Sequence, residues 1–181
     1  IGHHDPIYQF TTIGERYRGA NTAHGLAMDF GAGGVEVRIG GAQWGMRLTA
    51  IGYGDALRTL RAPDPKATAN RVEYSHGEIA EWYVNGPLGL EQGFKIDRAP
   101  AGRTAGALTL ALALSGDLAP TLDKTRTGLV LAKGDGGEVL RYSGLYAYDS
   151  AGRHLPAWME VNEARVLVRV DDTAAQYPIV V

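Results

Sequence analysis

The chain has 181 residues, 45% of them hydrophobic and 21% charged, with a formal net charge of -2. That balance is ordinary for a globular domain and leaves no basic field to attract nucleic acid or an anionic membrane. With no cysteine and 25 glycines, disulfide frameworks, thiolate metal sites and cysteine nucleophiles are excluded, and short strands joined by turns are favoured.

The chain opens at Ile1, not at methionine, and reads either as a processed mature chain or as a fragment, its signal peptide removed. Ile7 to Phe10 is expected as a first short strand. "GERYRGANTAHG" is polar and glycine-rich and reads as a loop. Alternation then sets in. Leu26, Met28 and Phe30 point one way, "GAGG" turns, and Val35, Val37 and Ile39 point one way opposite Glu36 and Arg38. This is a β-hairpin with a four-residue loop. Trp44, Met46 and Leu48 keep one parity, but Ile51 and Tyr53 fall on the other, so a bulge is expected near Ala50. "APDPKATAN" reads as a surface loop.

"RVEYSHGEIAEWYV" is a second hairpin, turning near Ser75-His76-Gly77. Parity puts Ala80, Trp82 and Val84 on one face, read as the core face, and Glu81, Tyr83 and Asn85 on the other. "DRAPAGRTAG" is a loop. "ALTLALAL" has helix-favouring composition, but Leu108, Leu110, Leu112 and Leu114 repeat with period two, which predicts a strand. From Gly128 onward the chain alternates strand and turn, and "YPIVV" reads as a last strand. Turn signals recur about every ten residues, giving roughly ten to fourteen short strands with little or no helix, an all-β antiparallel sandwich. It spans 1–181 as one domain, with the alternative of two β-rich halves, 1–98 and 105–181, sharing a core. No stretch reaches the ~18 continuous apolar residues of a membrane helix.

Chemistry-bearing patterns are sparse. His3-His4 is the one close histidine pair, but neighbours on a strand point to opposite faces and chelate poorly. His24, His76 and His154 fall in turns or loops and read as solvated. No D-x-D-x-D-G calcium loop occurs, and Asp135, Asp171 and Asp172 read as turn or strand-end acids. Ser115 and Ser143 precede glycine without a nucleophile elbow, and no phosphate or dinucleotide loop is present. Lys133-Gly134-Asp135 is an integrin-type tripeptide that also arises by chance. No cofactor is expected. The sharpest constellation is "EWYVNGPLGLEQGF", Glu81 to Phe94. If its strands pair across Asn85-Gly86, Glu81 and Glu91 approach each other, and two carboxylates about 5–9 Å apart suit glycoside hydrolysis, with Trp82 and Tyr83 for stacking. The opposing reading has Glu81 and Gln92 held by hydrogen bonds and Trp82 in the core. Glu81, Tyr83, Glu91 and Gln92 are therefore the candidate ligand residues.

"NRVEYSHGEIAEWYVNGPLGLEQGFKI", followed by "LTLALALSGDL", resembles a module of large secreted or cell-surface bacterial proteins that sits toward the N-terminal side of FG-GAP, integrin-alpha-like repeats. "YRGANTAHGLAMDFGAGGVEVR", "YSGLYAYDSAGRHLPAWME" and "VDDTAAQYPIVV" match in the same order. The resemblance implies an extracellular or cell-surface β-rich domain and carries over no catalytic residue. In such proteins the chain continues past the "YP" strand, whereas here it stops at Val181. Three functions are expected: a non-enzymatic structural or adhesion module with protein partners; a self-assembling filament subunit, pairing through terminal strands at Ile7, Tyr8, Phe10, Tyr177, Ile179 and Val181; and a carbohydrate-binding or glycoside-acting domain.

Overall fold

A computed structural model describes residues 5–134 and 136–181. His3-His4 and Asp135, the last residue of the Lys133-Gly134-Asp135 tripeptide, lie outside the described residues. The described chain is all-β. Its strands are β1 (Thr11–Ile13), β2 (Arg16–Asn21), β3 (Leu26–Gly31), β4 (Gly34–Ile39), β5 (Ala42–Tyr53), β6 (Ala56–Thr59), β7 (Lys66–Thr68), β8 (Arg71–Ser75), β9 (Ile79–Gly86) and β10 (Gly89–Ile96). They continue as β11 (Leu108–Gly116), β12 (Ala119–Leu122), β13 (Leu129–Ala132), β14 (Glu138–Tyr142), β15 (Ala147–Tyr148), β16 (His154–Leu155), β17 (Ala157–Asn162), β18 (Arg165–Val170) and β19 (Ile179–Val180). The count of nineteen exceeds the expected ten to fourteen because several strands have only two to four residues, too short to show alternation.

Three antiparallel sheets result. The first runs β1-β2-β3-β4-β5-β11-β18-β17, with β6 also on β5; the second runs β16-β15-β19-β10-β9-β8-β7; the third is β12-β13-β14. Aromatic side chains join them. Phe30 of the first sheet meets Tyr83 of the second edge-on with centroids 5.1 Å apart, and Trp44 of the first lies 6.0 Å from Tyr142 of the third. Tyr74 donates across the sandwich to the Gly31 carbonyl at 2.9 Å. One cluster of buried side chains draws on all three sheets, from Phe30, Leu48 and Ile51 through Tyr83 and Ile96 to Leu110, Leu129 and Val168.

β11 shows how the two chain halves meet. It pairs with β5 on one side and β18 on the other, so Leu108, Leu110 and Leu112 have no exposed surface. The expected slip in β5 is present: Ala111 pairs with Ala50 and Leu112 with Leu48, leaving Thr49 as the extra residue. Its hydroxyl donates to the Ala111 carbonyl at 3.0 Å. The β3–β4 hairpin is tighter than expected, since Gly31 pairs with Gly34 and only Ala32-Gly33 turn. Gly34 has φ +95, and a Cβ there would strike the Met46 carbonyl.

Two polar stretches are strands and not loops. Arg16–Asn21 pairs with β3, where Arg16 and Arg18 both bond the buried Asp29 carboxylate, and Lys66–Thr68 pairs with β8. Ile7 to Phe10 is not a strand. Pro6–Tyr8 is a 3₁₀ turn capped by the Asp5 side chain, as suits a proline with its φ preset and no N–H to give. Phe10 then donates its N–H to the Ala69 carbonyl at 2.9 Å and sets its ring 5.1 Å from Phe30.

Candidate functional site

The β9–β10 hairpin holds all four candidate residues. Its register pairs Gly86 with Gly89, so Pro87-Leu88 form the turn and the strands do not pair across Asn85-Gly86. Alternation is as the sequence indicated, but its sense is reversed. Glu81, Tyr83 and Asn85 are buried, while Ala80, Trp82 and Val84 are only half-buried. Trp82 lies on the outer face, paired with Gly93. The absent side chain of that glycine leaves room for the indole, which Arg71 covers at 4.8 Å. A large apolar ring thus packs on the sheet's outside while a carboxylate goes inside.

The buried carboxylate is well supplied with donors. Glu81 Oε1 accepts from the Tyr83 hydroxyl at 2.7 Å and from Gln92 Nε2 at 3.0 Å; Oε2 lies 3.1 Å from His76 Nε2, which donates to it. Gln92 Nε2 also reaches the Tyr83 hydroxyl at 2.8 Å, and the Tyr142 hydroxyl donates to Gln92 Oε1 at 2.9 Å. His76 is not solvated as expected from its turn; its side chain is 2% exposed. Burial, and then the adjacent Glu81 charge, raise the Tyr83 hydroxyl well above the usual tyrosine range, which keeps it a neutral donor. Charge-assisted bonds of this kind are the strong ones, and a buried carboxylate needs them.

Glu91 stands apart. It pairs with Val84, on the outer face, and is exposed. Gln92, one residue on, pairs with Tyr83 on the inner face. Glu81 and Glu91 therefore lie on opposite sides of one sheet, and the paired-carboxylate arrangement is not formed. Period-two geometry forbids it, because Glu81 pairs with Phe94, and Glu91 is an odd number of residues away.

A second polar cluster, not evident in the sequence, fixes the hairpin to the first sheet. Asn21 Nδ2 donates to Asn85 Oδ1 and the Gly86 carbonyl at 3.0 and 2.7 Å; Asn85 Nδ2 donates to the Tyr8 and Ala20 carbonyls at 3.0 and 2.9 Å; Asn70 Nδ2 donates to the Asn85 carbonyl at 2.7 Å. Four of its five bonds join residues more than sixty apart, which concealed it. A third cluster holds the C-terminal segment. Tyr53, Tyr177 and Arg103 all donate to the buried Asp172.

β10 has a free edge. Phe94 exchanges both backbone bonds with Val181 at 2.9 Å, and β19 pairs with Lys95 and Ile96. Because alternate residues of a strand bond alternate sides, Gln92 and Leu90 turn their N–H and C=O the same way as Phe94, beyond the reach of β19. Asn85, opposite Leu90, bonds Asn70 on the far side, in agreement. A groove of about 400 Å³ borders this edge, with Trp82, Glu91, Arg141, Tyr146, Tyr148 and Val181 among its walls. Ile179 and Val181 thus serve the chain's own sheet and the Tyr177 hydroxyl is held by Asp172, while Ile7 is 63% exposed on its 3₁₀ turn.

Comparison with protein-family models, curated proteins and solved structures finds no match. Among the described residues no cluster of three or more histidine, aspartate or glutamate side chains is placed to hold a metal, and no helix is long and apolar enough to cross a membrane.

Proposed function

We propose that the chain is a non-enzymatic β-sandwich module of a bacterial secreted or cell-surface protein, of the adhesion type. In this reading it takes an extended segment of a partner protein as an added strand on β10. One observation carries it: the backbone of Leu90 and Gln92 faces a groove where the ladder to β19 stops at Phe94. In strand addition the backbone bonds give affinity and the groove reads alternate side chains. The extracellular setting rests on the likeness of Asn70 to Ile96 to modules of surface proteins.

The test is selection of binding peptides from a displayed library, followed by Leu90→Pro. That change removes an N–H the β9–β10 ladder does not use, so the fold is expected to survive. Peptides that bind the parent are expected to lose about tenfold or more in affinity. Undiminished binding to Leu90→Pro contradicts the reading. Concentration-dependent growth in size without peptide, abolished by the same change, assigns the added strand to another copy, as a filament requires.

A second reading, carbohydrate binding, is favoured by two exposed tyrosines. Tyr146 and Tyr148 have centroids 6.0 Å apart, Tyr146 lies 4.8 Å from the His154 ring, and Glu91 and Arg141 line the same groove. Aromatic faces with a few polar groups are the usual makings of a ligand site. Glycan-array binding that Tyr146→Ala removes and Leu90→Pro spares supports this second reading over the first.

A further inference from the structure

The three sheets do not close completely where they meet. A cleft of about 320 Å³ opens between β4 and β5, the tip of the β9–β10 hairpin, and β14. That volume is at the small end of ligand sites. Its walls include Val37, Trp44, Met46, Leu90 and Val139, and no aspartate or glutamate lines it. At the rim stands Arg141. Its Nη2 bonds Glu138 at 2.9 Å, and neither Nη1 nor Nε bonds a described residue. Beside it Leu88 is 98% exposed at the hairpin turn.

We infer that this cleft binds a single-chain anionic amphiphile, its apolar tail between the sheets and its carboxylate against the free side of Arg141. The apolar walls supply burial energy in proportion to area. A guanidinium at the mouth, with Nη1 and Nε bonding no described residue, and no acid in the lining, supplies the charge complement. The site goes beyond the strand-addition reading. Leu90 and Gln92 turn their side chains to the cleft and their backbone to the free edge, so either property can fail while the other holds.

The test uses the full chain with Trp82→Phe and Trp158→Phe, which leaves Trp44 in the cleft wall as the sole indole. Dodecanoate, below its micellar concentration, is expected to shift Trp44 emission saturably. Val139→Phe fills the cleft from a half-buried position and is expected to weaken binding about tenfold or more. If that variant does not fold, Leu90→Phe fills the cleft from the opposite wall. Arg141→Gln is expected to weaken dodecanoate about tenfold and leave dodecanol unchanged. No saturable response, or equal binding by the filled variant, overturns the site. Equal affinity for dodecanoate and dodecanol, untouched by Arg141→Gln, overturns the anionic headgroup.

Discussion

Glu81→Ala would strand donors from His76, Tyr83 and Gln92 in one step. The expected loss is about 3 kcal/mol in urea unfolding, within the range for breaking a buried, bonded charge. Tyr83→Phe removes one of those donors and should cost about 1 kcal/mol. The double change should cost less than the sum, because both act on one network. Additive costs would mean that the two groups are not coupled. Parity at Glu81 to Asn85 was legible in the sequence; which face was buried was not. Trp82 is the largest apolar side chain in that stretch, and hydrophobicity alone sends it inward. Its outward place depends on Gly93 and Arg71 from the neighbouring strands. The inward place of Glu81 depends on His76, Gln92 and, through Gln92, on Tyr142 fifty residues on. Local patterns carry no record of such partners.

At the scale of elements, the β9–β10 hairpin and the turn after β15 make separate predictions. Gly93→Ala puts a methyl where the Trp82 indole lies, so the ring must lift from the sheet. Its emission should shift toward that of a solvated indole, while an unchanged spectrum would place the ring elsewhere. The Asp149 turn is sensitive to acid. Its carboxylate accepts backbone N–H bonds from Gln176, Ala151 and Arg153, and two more from the Arg153 side chain. These bonds, that from Gln176 foremost, draw its pKa down to about 2 from an ordinary 3.8. A folded-state pKa below the unfolded one gives stability that is present above about pH 4 and lost as pH falls toward about 2. Melting temperature should fall more steeply across that window in the parent than in Asp149→Asn; parallel profiles would contradict the assignment. Strands β3, β4, β5, β11 and β18 were legible because each alternates or runs apolar. β2 was not, since its exposed arginines answer to Asp29 on the next strand, and a polar strand with only the three-residue β1 beyond it looks like a loop.

For the whole molecule, β11 sits between β5 and β18, and β19 closes on β10. The segments 1–98 and 105–181 each supply strands to the first and second sheets. Expressed apart, neither should show a cooperative thermal transition, whereas the full chain should show one; a cooperative transition in either piece would make the halves independent. The all-β class was open to sequence reading through turn spacing and period two. The free edge of β10 was not, because it arises from where β19 stops in space. Residue-resolved amide hydrogen exchange tests that edge most directly. In the free chain, the Glu91 and Gly93 amides, turned toward β9, should be protected, and those of Leu90 and Gln92 should exchange fast. A selected peptide should protect Leu90 and Gln92 and leave the other two unchanged. Equal protection of all four before peptide is added, or no gain at Leu90 and Gln92 after it, would contradict strand addition at β10.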